Sequence, residues 1–285
     1  ANIAHGCNSI IATKMALSYS DYVVTEAGFG ADLGAEKFFD VKCRVGNLHP
    51  NAVVIIATIG ALKLHAGVKY EDLKTENIEA VKLGMANLYS HINTIYNEFK
   101  LPFVVTLNKY ETDTPDEIMT VVRELEKMDI KCVVNDAWGK GGDGCMELAK
   151  AVLFASELDS LHFDYIYTLD EKIESKIKKI ATEVYGASGV IYTNKAKEQI
   201  KEIKRLKYDK LPIVIAKTQY SLSDNPKLLN KPKGFKITIS DIELKTGAGF
   251  IVAIAGNMLL MPGLGKIPNA VKMKIDKDYN ISGLF

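Results

Sequence analysis

The stretch Ala52-Val-Val-Ile-Ile-Ala-Thr58 is a continuous apolar run, which is the pattern of a strand buried on both faces of a parallel sheet. Two similar runs follow it, Phe103-Val-Val-Thr-Leu107 and Lys131-Cys-Val-Val134, and a shorter candidate, Asp21-Tyr-Val-Val-Thr25, precedes it. Helical patterns lie between these runs. Strands that alternate with helices predict an α/β fold with a mostly parallel sheet and helices on both of its faces.

Two helices of this half can be predicted from their side chains. The segment Glu71 to Phe99 carries one apolar stripe at spacings of three and four residues, as an amphipathic helix requires. Its members are Ile78, Val81, Met85, Leu88, Ile92 and Ile95. The sequence Thr114-Pro-Asp-Glu117 predicts the start of the next helix, because Thr114 can cap it, the proline fits its first turn and Glu117 completes a capping box.

The second half of the chain alternates helices and strands in a different order. The helices and strands predicted here are Asp170–Tyr185, Asn194–Leu206, Pro212–Ala216, Phe235–Leu244 and Phe250–Ala255, and residues 225–234 are a predicted loop. Because the order of helices and strands changes between the two halves, the sequence predicts two domains. They are a larger α/β domain over residues 1–160 and a smaller α/β domain over residues 161–285.

The composition excludes several classes of protein. The 47% apolar and 25% charged residues are the proportions of an ordinary globular chain. The net charge of +1 argues against a surface that binds nucleic acid or an anionic membrane. No apolar run reaches the roughly 20 residues of a membrane span. The four cysteines are scattered (Cys7, Cys43, Cys132 and Cys145), so we expect buried thiols in a reducing cytoplasm.

Ligands of open parallel sheets bind at the carboxyl ends of the strands, where four loops are predicted. These loops are Thr25–Gly30, Thr58–Gly67, Asn108–Thr114 and Asn135–Gly144. In the first, Glu26 follows a predicted strand at a place where nucleotide enzymes often hold Mg²⁺, and its glycines allow a phosphate to approach the backbone. The alternative is a tight turn with a solvated Glu26.

Three further residues are candidates for binding a flat ligand. Asn108 follows a buried strand and offers both a donor and an acceptor to a purine, or else it only forms a turn. Trp138, beside a glycine-rich run, can stack on a planar ring or belong to the core. If the two loops face each other, Tyr110 is the natural second plate.

Other residues give weaker signals. His91 is predicted to be structural or solvated, whereas His5 and His65, in glycine-flanked loops, are better candidates for a site. The segment Lys217–Asp224 is polar enough to line a site, or else it is a surface loop. Among motifs, the chain contains neither a Gly-x-x-x-x-Gly-Lys-Ser/Thr phosphate loop nor a Gly-x-Ser-x-Gly elbow. A self-contained P-loop ATPase or serine hydrolase is therefore not expected.

Several long stretches match one family. They are Ala1-Asn-Ile-Ala-His-Gly-Cys-Asn-Ser9, residues 22–39, Asn108-Lys-Tyr-Glu-Thr-Asp-Thr114, Trp138-Gly-Lys-Gly-Gly142, Ala216-Lys-Thr-Gln-Tyr-Ser-Leu-Ser-Asp224, Gly247-Ala-Gly-Phe-Ile-Val252 and Met261-Pro-Gly-Leu264. In these stretches the chain resembles the C-terminal half of formate–tetrahydrofolate ligase. The resemblance implies part of a P-loop NTPase-like fold and ATP-dependent joining of formate to tetrahydrofolate through formyl phosphate, giving 10-formyltetrahydrofolate, ADP and phosphate.

The resemblance also implies ligands, partners and roles for residues. Mg²⁺, a monovalent cation (K⁺ or NH₄⁺) and a homotetramer are expected. Tyr110 and Trp138 resemble the plates that stack on the pterin, Asn108 resembles the asparagine near adenine, and Glu26 resembles an acidic residue near the metal and phosphates. Residues 1–160 would then belong to the nucleotide- and folate-binding domain, and residues 161–285 would complete the ligand cleft.

The chain also departs from the family pattern. Gly60 stands where the family commonly has arginine, Ala66 replaces a glycine, and Asn257 and Leu260 replace aspartate and threonine. The resemblance implies that the phosphate loop and the catalytic residues lie in an N-terminal half upstream of Ala1, and the missing Met agrees with a shortened chain. The alternative is a folate- or nucleotide-binding fragment or a pseudoenzyme subunit without catalysis.

Overall fold

The structure, a computed structural model, describes residues 9–158, 163–256, 258, 266–278 and 280–283. Its α-helices are α1 Ile10–Tyr19, α2 Arg44–Gly46, α3 Ile59–His65, α4 Ile78–Asn93, α5 Pro115–Glu126, α6 Ala137–Lys140, α7 Met146–Glu157, α8 Ile173–Lys179 and α9 Asn194–Arg205. Its strands are β1 Val53–Ala57, β2 Phe103–Asn108, β3 Cys132–Asn135, β4 Val190–Tyr192, β5 Ile213–Ala216, β6 Ile237–Lys245, β7 Phe250–Ala255, β8 Lys274–Ile275 and β9 Ile281–Ser282. Tighter or wider helical turns occupy Ala31–Ala35, Phe38–Cys43, Tyr70–Asp72, Thr94–Glu98, Gly141–Cys145, Ile180–Val184 and Asn269–Val271.

The first sheet consists of β1, β2 and β3 in that order, all parallel. Val53 pairs with Phe103, and Val105 pairs with Cys132. Because the strands run in the same direction, their carboxyl ends lie at one edge of the sheet. The mixed α/β class and these three predicted strands are confirmed.

The burial of β1 differs from the prediction. Ile55 and Ala57 are buried, but Ile56 between them is 61% exposed. β1 lies at the edge of the sheet, and among the described residues nothing covers the face that carries Ile56. The expectation of burial on both faces is therefore wrong for β1, whereas it is right for the central strand β2, in which Val104 to Leu107 are buried.

The long helix begins later than the predicted Glu71. The side-chain oxygen of Asn77 accepts a hydrogen bond from the N–H of Ala80 at 2.9 Å and caps α4. The predicted apolar stripe is confirmed, since its members from Val81 to Ile95 are buried.

Helix α3 lies inside the segment 58–67, which was predicted to be a loop. Thr58 caps it by accepting a hydrogen bond from the third following backbone N–H. Ile59 and Leu62 are buried on its inner face. A Cβ at Gly84 would overlap the carbonyl oxygen of Leu62, so the backbones of α3 and α4 are in direct contact. A helix of seven residues is too short to show a clear periodicity in sequence.

The second sheet has the order β4-β6-β7-β5 and mixed strand directions. β6 and β7 are antiparallel, whereas β4 is parallel to β6 and β5 is parallel to β7. β5 and β7 are buried along their whole length, and β6 alternates between buried and partly exposed residues at its start. The three predicted strands of this half are confirmed, and β4 is an additional strand that the sequence did not indicate.

Residues 21–25 form no strand. Tyr22 is exposed and Val24 is 88% exposed. A strand needs a neighbour to satisfy its backbone N–H and C=O groups, and none of the described strands pairs with this segment. The prediction of a strand here is wrong, because two adjacent valines raise strand propensity but do not supply a partner.

One hydrophobic core contains residues from both halves of the chain. Phe39 and Val105 belong to the same buried cluster as Ile177 and Ile215. The division into domains at residue 160 stays a prediction. Within the described ranges, no helix is both long and apolar enough to cross a membrane.

Candidate functional site

Asparagines at the ends of two neighbouring strands bond to each other. The Nδ2 of Asn135 donates a hydrogen bond to the Oδ1 of Asn108 at 2.9 Å. The backbone N–H of Lys109 donates to the carbonyl of Asn135 at 3.0 Å. Asn108 is the last residue of β2 rather than part of a turn. This hydrogen bond fixes the orientation of the two amides at the ends of β2 and β3.

Two aromatic rings lie together just beyond these asparagines. The ring centroids of Tyr110 and Trp138 are 6.1 Å apart, and the ring planes meet at 50°. Trp138 is 74% exposed and Tyr110 is 43% exposed. A core position for Trp138 is therefore excluded. The two predicted loops do face each other, but tilted rings at this distance leave no slot for a flat ligand between them.

Two lysines lie in the segments that carry the aromatic pair. The ammonium groups of Lys109 and Lys140 lie 3.3 and 3.4 Å from the carboxylate of Asp136. Desolvation would raise the pKa of Asp136, but hydrogen bonds from both lysines lower it below its ordinary value. Both lysines share this carboxylate, and the same two loops also carry Glu111, Asp113 and Asp143, so the positive charges here are balanced by acidic side chains.

The glycine-rich run after Trp138 forms consecutive helical turns instead of an open loop. A Cβ at Gly144 would overlap the carbonyl oxygen of Asp136, and the N–H of Asp136 donates to the carbonyl of Gly144 at 3.3 Å. Gly141 has a positive φ of 58°. Glycine is therefore required at 144 by the close approach of the Asp136 backbone and at 141 by the positive φ.

The loop that carries Glu26 is shaped by contacts within the chain. Glu26 is exposed. A Cβ at Gly34 would overlap the carbonyl oxygen of Gly28, whereas a Cβ at Gly28 itself would meet open space. Phe29, with a φ of 62°, adopts the left-handed conformation. Within the described ranges no group of three or more His, Cys, Asp or Glu residues is arranged to hold a metal. Glu26 therefore fits Mg²⁺ only as one ligand beside phosphate oxygens.

A buried ion pair fixes the loop that precedes α5. Lys63 of α3 and Glu117 of α5 form a salt bridge in which both side chains are fully buried. Lys63 also donates to the carbonyls of Leu73 and Thr75, each at 2.9 Å. Glu117 accepts from the N–H of Thr114 and completes the predicted capping box, which is confirmed. The loop with Tyr110 is thus anchored to α3 at its far end.

A family comparison decides the class of protein to which this site belongs. The model of the family described as formate–tetrahydrofolate ligase matches residues 1–285. The chain belongs to the formate–tetrahydrofolate ligase family. The match confirms the resemblance read from the sequence and implies a ligase enzyme that acts on formate and tetrahydrofolate.

One departure from the family pattern can be located. Gly60, where the ligase family commonly has arginine, lies in the first turn of α3, just beyond the carboxyl end of β1. A Cβ at Gly60 would meet nothing within 4 Å. A longer side chain therefore fits there. Asn257 and Leu260, together with His5, Cys7 and the stretch 261–264, lie outside the described residues.

Most of the polar segment Lys217–Asp224 is buried in this member of the ligase family, and Tyr220 is its exposed residue. The ammonium of Lys217 donates to Asp32 at 2.6 Å and to the carbonyls of Thr218 and Ser221. An ammonium has three N–H groups, and all three are used. Reading this segment as a surface loop is wrong. Lys217 holds the second sheet against Asp32 and has no donor left for a ligand.

A second buried carboxyl group lies nearby. Glu36 is fully buried, and among the described residues neither of its oxygens has a hydrogen-bond partner. The nearest cation, the ammonium of Lys37, is 4.0 Å away. Burial raises the pKa of Glu36 to about 8, partly opposed by Lys37. Burial also lowers the pKa of Lys37 to about 8. Glu36 is thus a neutral acid near pH 7.

The histidines of α4 and α3 differ in their surroundings. His91 of α4 is partly buried, and its buried Nδ1 lies 4.0 Å from a carboxylate oxygen of Asp32, so a structural role fits better than a solvated one. Burial lowers the pKa of His91. His65 is half-buried at the end of α3, and its Nδ1 accepts a hydrogen bond from the backbone N–H of Asn230 at 3.0 Å. Sequence spacing gave no signal for this contact.

Proposed function

We propose that this chain supplies the folate and adenine side of an ATP-dependent formate–tetrahydrofolate ligase. ATP transfers its γ-phosphoryl group to formate, and the amine at folate position 10 attacks formyl phosphate and displaces phosphate. The pairing of Tyr110 with Trp138 at the carboxyl edge of the first sheet carries this proposal. Both rings are exposed where loops after two adjacent strands meet.

The geometry favours stacking on one ring instead of a sandwich. Because the planes of Tyr110 and Trp138 are tilted by 50°, a pterin lies on the outer face of Trp138 and touches the edge of Tyr110. Lys109 and Lys140, which neighbour Tyr110 and Trp138 in sequence, are the cations proposed to attract the carboxylates of the folate tail. The Nδ2 of Asn108 donates to the adenine ring.

ATP, Mg²⁺ and a monovalent cation, K⁺ or NH₄⁺, belong to this proposal. Glu26 contributes one carboxylate oxygen to Mg²⁺, and phosphate oxygens and water supply the others. When it is bound, Mg²⁺ neutralises the charge that develops on the transferred phosphoryl group. The residues that grip the phosphates are proposed to lie in an N-terminal half of the same protein.

Exposed apolar surface supports such a partner. Helix α1 exposes Ile11 and Met15, which lie four residues apart on one face, and it also exposes Leu17. Ile56 on the edge strand is exposed as well. We propose that the N-terminal half covers these residues and that the complete protein is a homo-oligomer, as tetramers are usual in the family.

The test uses the intrinsic fluorescence of Trp138, the only tryptophan of the sequence. Tetrahydrofolate is expected to quench it, and calorimetry of Trp138→Ala is expected to show roughly fivefold weaker folate binding, the factor for a stack of about 1 kcal/mol. Tyr208→Ala, at a similarly exposed tyrosine, is the control. Unchanged fluorescence together with unchanged affinity in Trp138→Ala would contradict the assignment.

A second assay separates catalysis from binding alone. The complete protein is expected to form 10-formyltetrahydrofolate only when formate, ATP and Mg²⁺ are all present. Folate binding without product would favour the alternative of a binding subunit.

A further inference from the structure

The loop between β5 and β6 is attached to two helices of the first half through one residue, Asn230. Its backbone N–H donates to the Nδ1 of His65 in α3 at 3.0 Å. Its carbonyl accepts from the Nδ2 of Asn87 at 3.0 Å, and its own Nδ2 donates to the carbonyl of Leu83 at 2.8 Å. The φ of Asn230 is 63°, a left-handed conformation that asparagine tolerates better than most residues.

The rest of this loop is internally bonded. The hydroxyl of Ser221 donates to the carbonyl of Leu228, and the hydroxyl of Ser223 donates to the carbonyl of Asn225 at 3.1 Å. The carboxylate of Asp224 accepts from the N–H of Thr238 at the start of β6. A loop so constrained moves as a unit, so its attachment at Asn230 determines where it lies against α3 and α4.

Helix α3 connects the loop around Asn230 to the candidate site through a second set of contacts. Lys63, two residues before His65, pairs with Glu117. Glu117 in turn accepts from the N–H of Thr114, which ends the loop that begins with Tyr110. His65, Lys63 and Glu117 therefore join the loop around Asn230 to the loop of the aromatic pair.

We propose that His65 is a positioning residue: its unprotonated Nδ1 holds the loop 217–230 against α3 and thereby fixes the loop 109–114 of the candidate site. The Nδ1 can accept a hydrogen bond only when it carries no proton. Protonation replaces the acceptor with a donor that faces the N–H of Asn230, so the contact breaks. The link to folate binding rests on the proposed function, whereas the attachment of the loop does not.

The surroundings of His65 keep it neutral. Burial and the neighbouring His91 of α4 lower the pKa of His65, and Asp32 of the segment Ala31–Ala35 acts in the opposite direction. The bond between Asn230 and His65 is therefore formed at neutral pH and lost in acid, whereas the bonds of Asn230 to Asn87 and Leu83 in α4 remain. Because the ammonium of Lys217 is bonded to Asp32, Asp32 is already neutralised as a partner for a charged His65.

Two variants of the complete protein test the proposal by hydrogen exchange of the amides in 225–234. His65→Leu removes the acceptor, and protection factors there are expected to fall about fivefold or more, the factor for one net hydrogen bond. His65→Asn places an oxygen near the position of the Nδ1 and is expected to retain wild-type protection. His49→Leu, at an exposed histidine, is the control.

The pH profile distinguishes positioning from simple packing. Wild-type protection in this loop is expected to fall as the pH drops below 6.5, the ordinary pKa of histidine, whereas that of His65→Asn stays constant, because an amide does not titrate in this range. In His65→Leu the Kd for folate is expected to rise about threefold to fivefold, with kcat nearly unchanged. Loop protection in His65→Leu equal to wild type, or an equal pH dependence in His65→Asn, would overturn the proposal. Lost protection with unchanged folate affinity would instead leave the attachment standing and contradict its link to the site.

Discussion

Glu36 illustrates how a single side chain can make stability depend on pH. It is buried without a hydrogen-bond partner among the described residues, and burial raises its pKa to about 8 from the ordinary value of 4.5. Between these two values the folded protein binds a proton at Glu36 that the unfolded chain has released. The stabilising contribution of Glu36 is therefore complete below about pH 4.5 and is lost as the pH rises towards 8.

We expect Glu36→Gln to remove this dependence, because glutamine stays neutral. Relative to the variant, the free energy of unfolding of the wild type should fall as pH rises from 5 to 8, by at most about 1.4 kcal/mol per unit. Urea denaturation at several pH values measures it. Glu79→Gln, on an exposed helix surface, is the control, and its free energy of unfolding should change with pH as that of the wild type does. Parallel curves for Glu36→Gln and wild type would contradict a neutral Glu36.

Gly60 offers a second test at the same scale, because the space above it is open. Gly60→Ala should raise the free energy of unfolding by up to about 1 kcal/mol, as expected when glycine is replaced in a helix. Gly60→Arg should gain less, since a cation near a helix N-terminus is unfavourable. Only the arginine should strengthen binding of ATP or folate, as measured by calorimetry. Equal affinities in the two variants would show that the departure at Gly60 does not affect ligand binding.

At the scale of elements, the first sheet shows how far local patterns reach. The apolar runs at 53–57 and 103–108 and the capping box at Thr114 were predictable, because each depends on neighbours in sequence. The same pattern failed at residues 21–25, where no described strand provides a partner. The pairing of Lys63 with Glu117 had no sequence signal, although it connects α3 to the helix whose start was predicted correctly.

We expect the Lys63–Glu117 pair to couple α3 and α5 strongly. Glu117→Gln leaves the Lys63 ammonium buried and unpaired and should cost about 3–5 kcal/mol of unfolding free energy. Lys63→Met should also lower the free energy of unfolding when it is made alone. In the double variant Lys63→Met/Glu117→Gln, the decrease in the free energy of unfolding should be smaller than the sum of the decreases in the two single variants. A double-mutant cycle by chemical denaturation measures the difference. Strict additivity would mean that the two helices are held by other contacts.

At the scale of the whole molecule, helix α1 and the edge strand β1 each expose a large apolar side chain, Ile11 and Ile56. Such side chains can bind other polypeptide segments where they lie together, as Ile11 and Met15 do on one face in the region of α1.

We expect the 285-residue chain on its own to associate through this region. Ile11→Lys should raise the proportion of monomer measured by size-exclusion chromatography with light scattering. Val271→Lys, at a similarly exposed apolar residue elsewhere, should leave the proportion unchanged. If the chain is monomeric without any substitution, the region does not drive association.

The candidate site was predictable in part. Tyr110 and Trp138 were identified because a planar ring at a strand end can stack on a flat ligand, and the structure does bring their rings together. Their tilt was not predictable, because it depends on how Gly144 packs against Asp136. The roles of Asn108 and Glu26 in binding remain predictions.

The sequence by itself determined the α/β class, the family, most strands and the start of α5, because periodicity and capping depend on residues close together in the chain. Only the tertiary structure decided which polar groups meet in the interior. Lys217 bonds to Asp32 across 185 positions, and Asn230 bonds to His65 across 165. Such pairs form when separate elements pack and exclude water, so each buried charge or donor must find whatever partner the fold brings within reach.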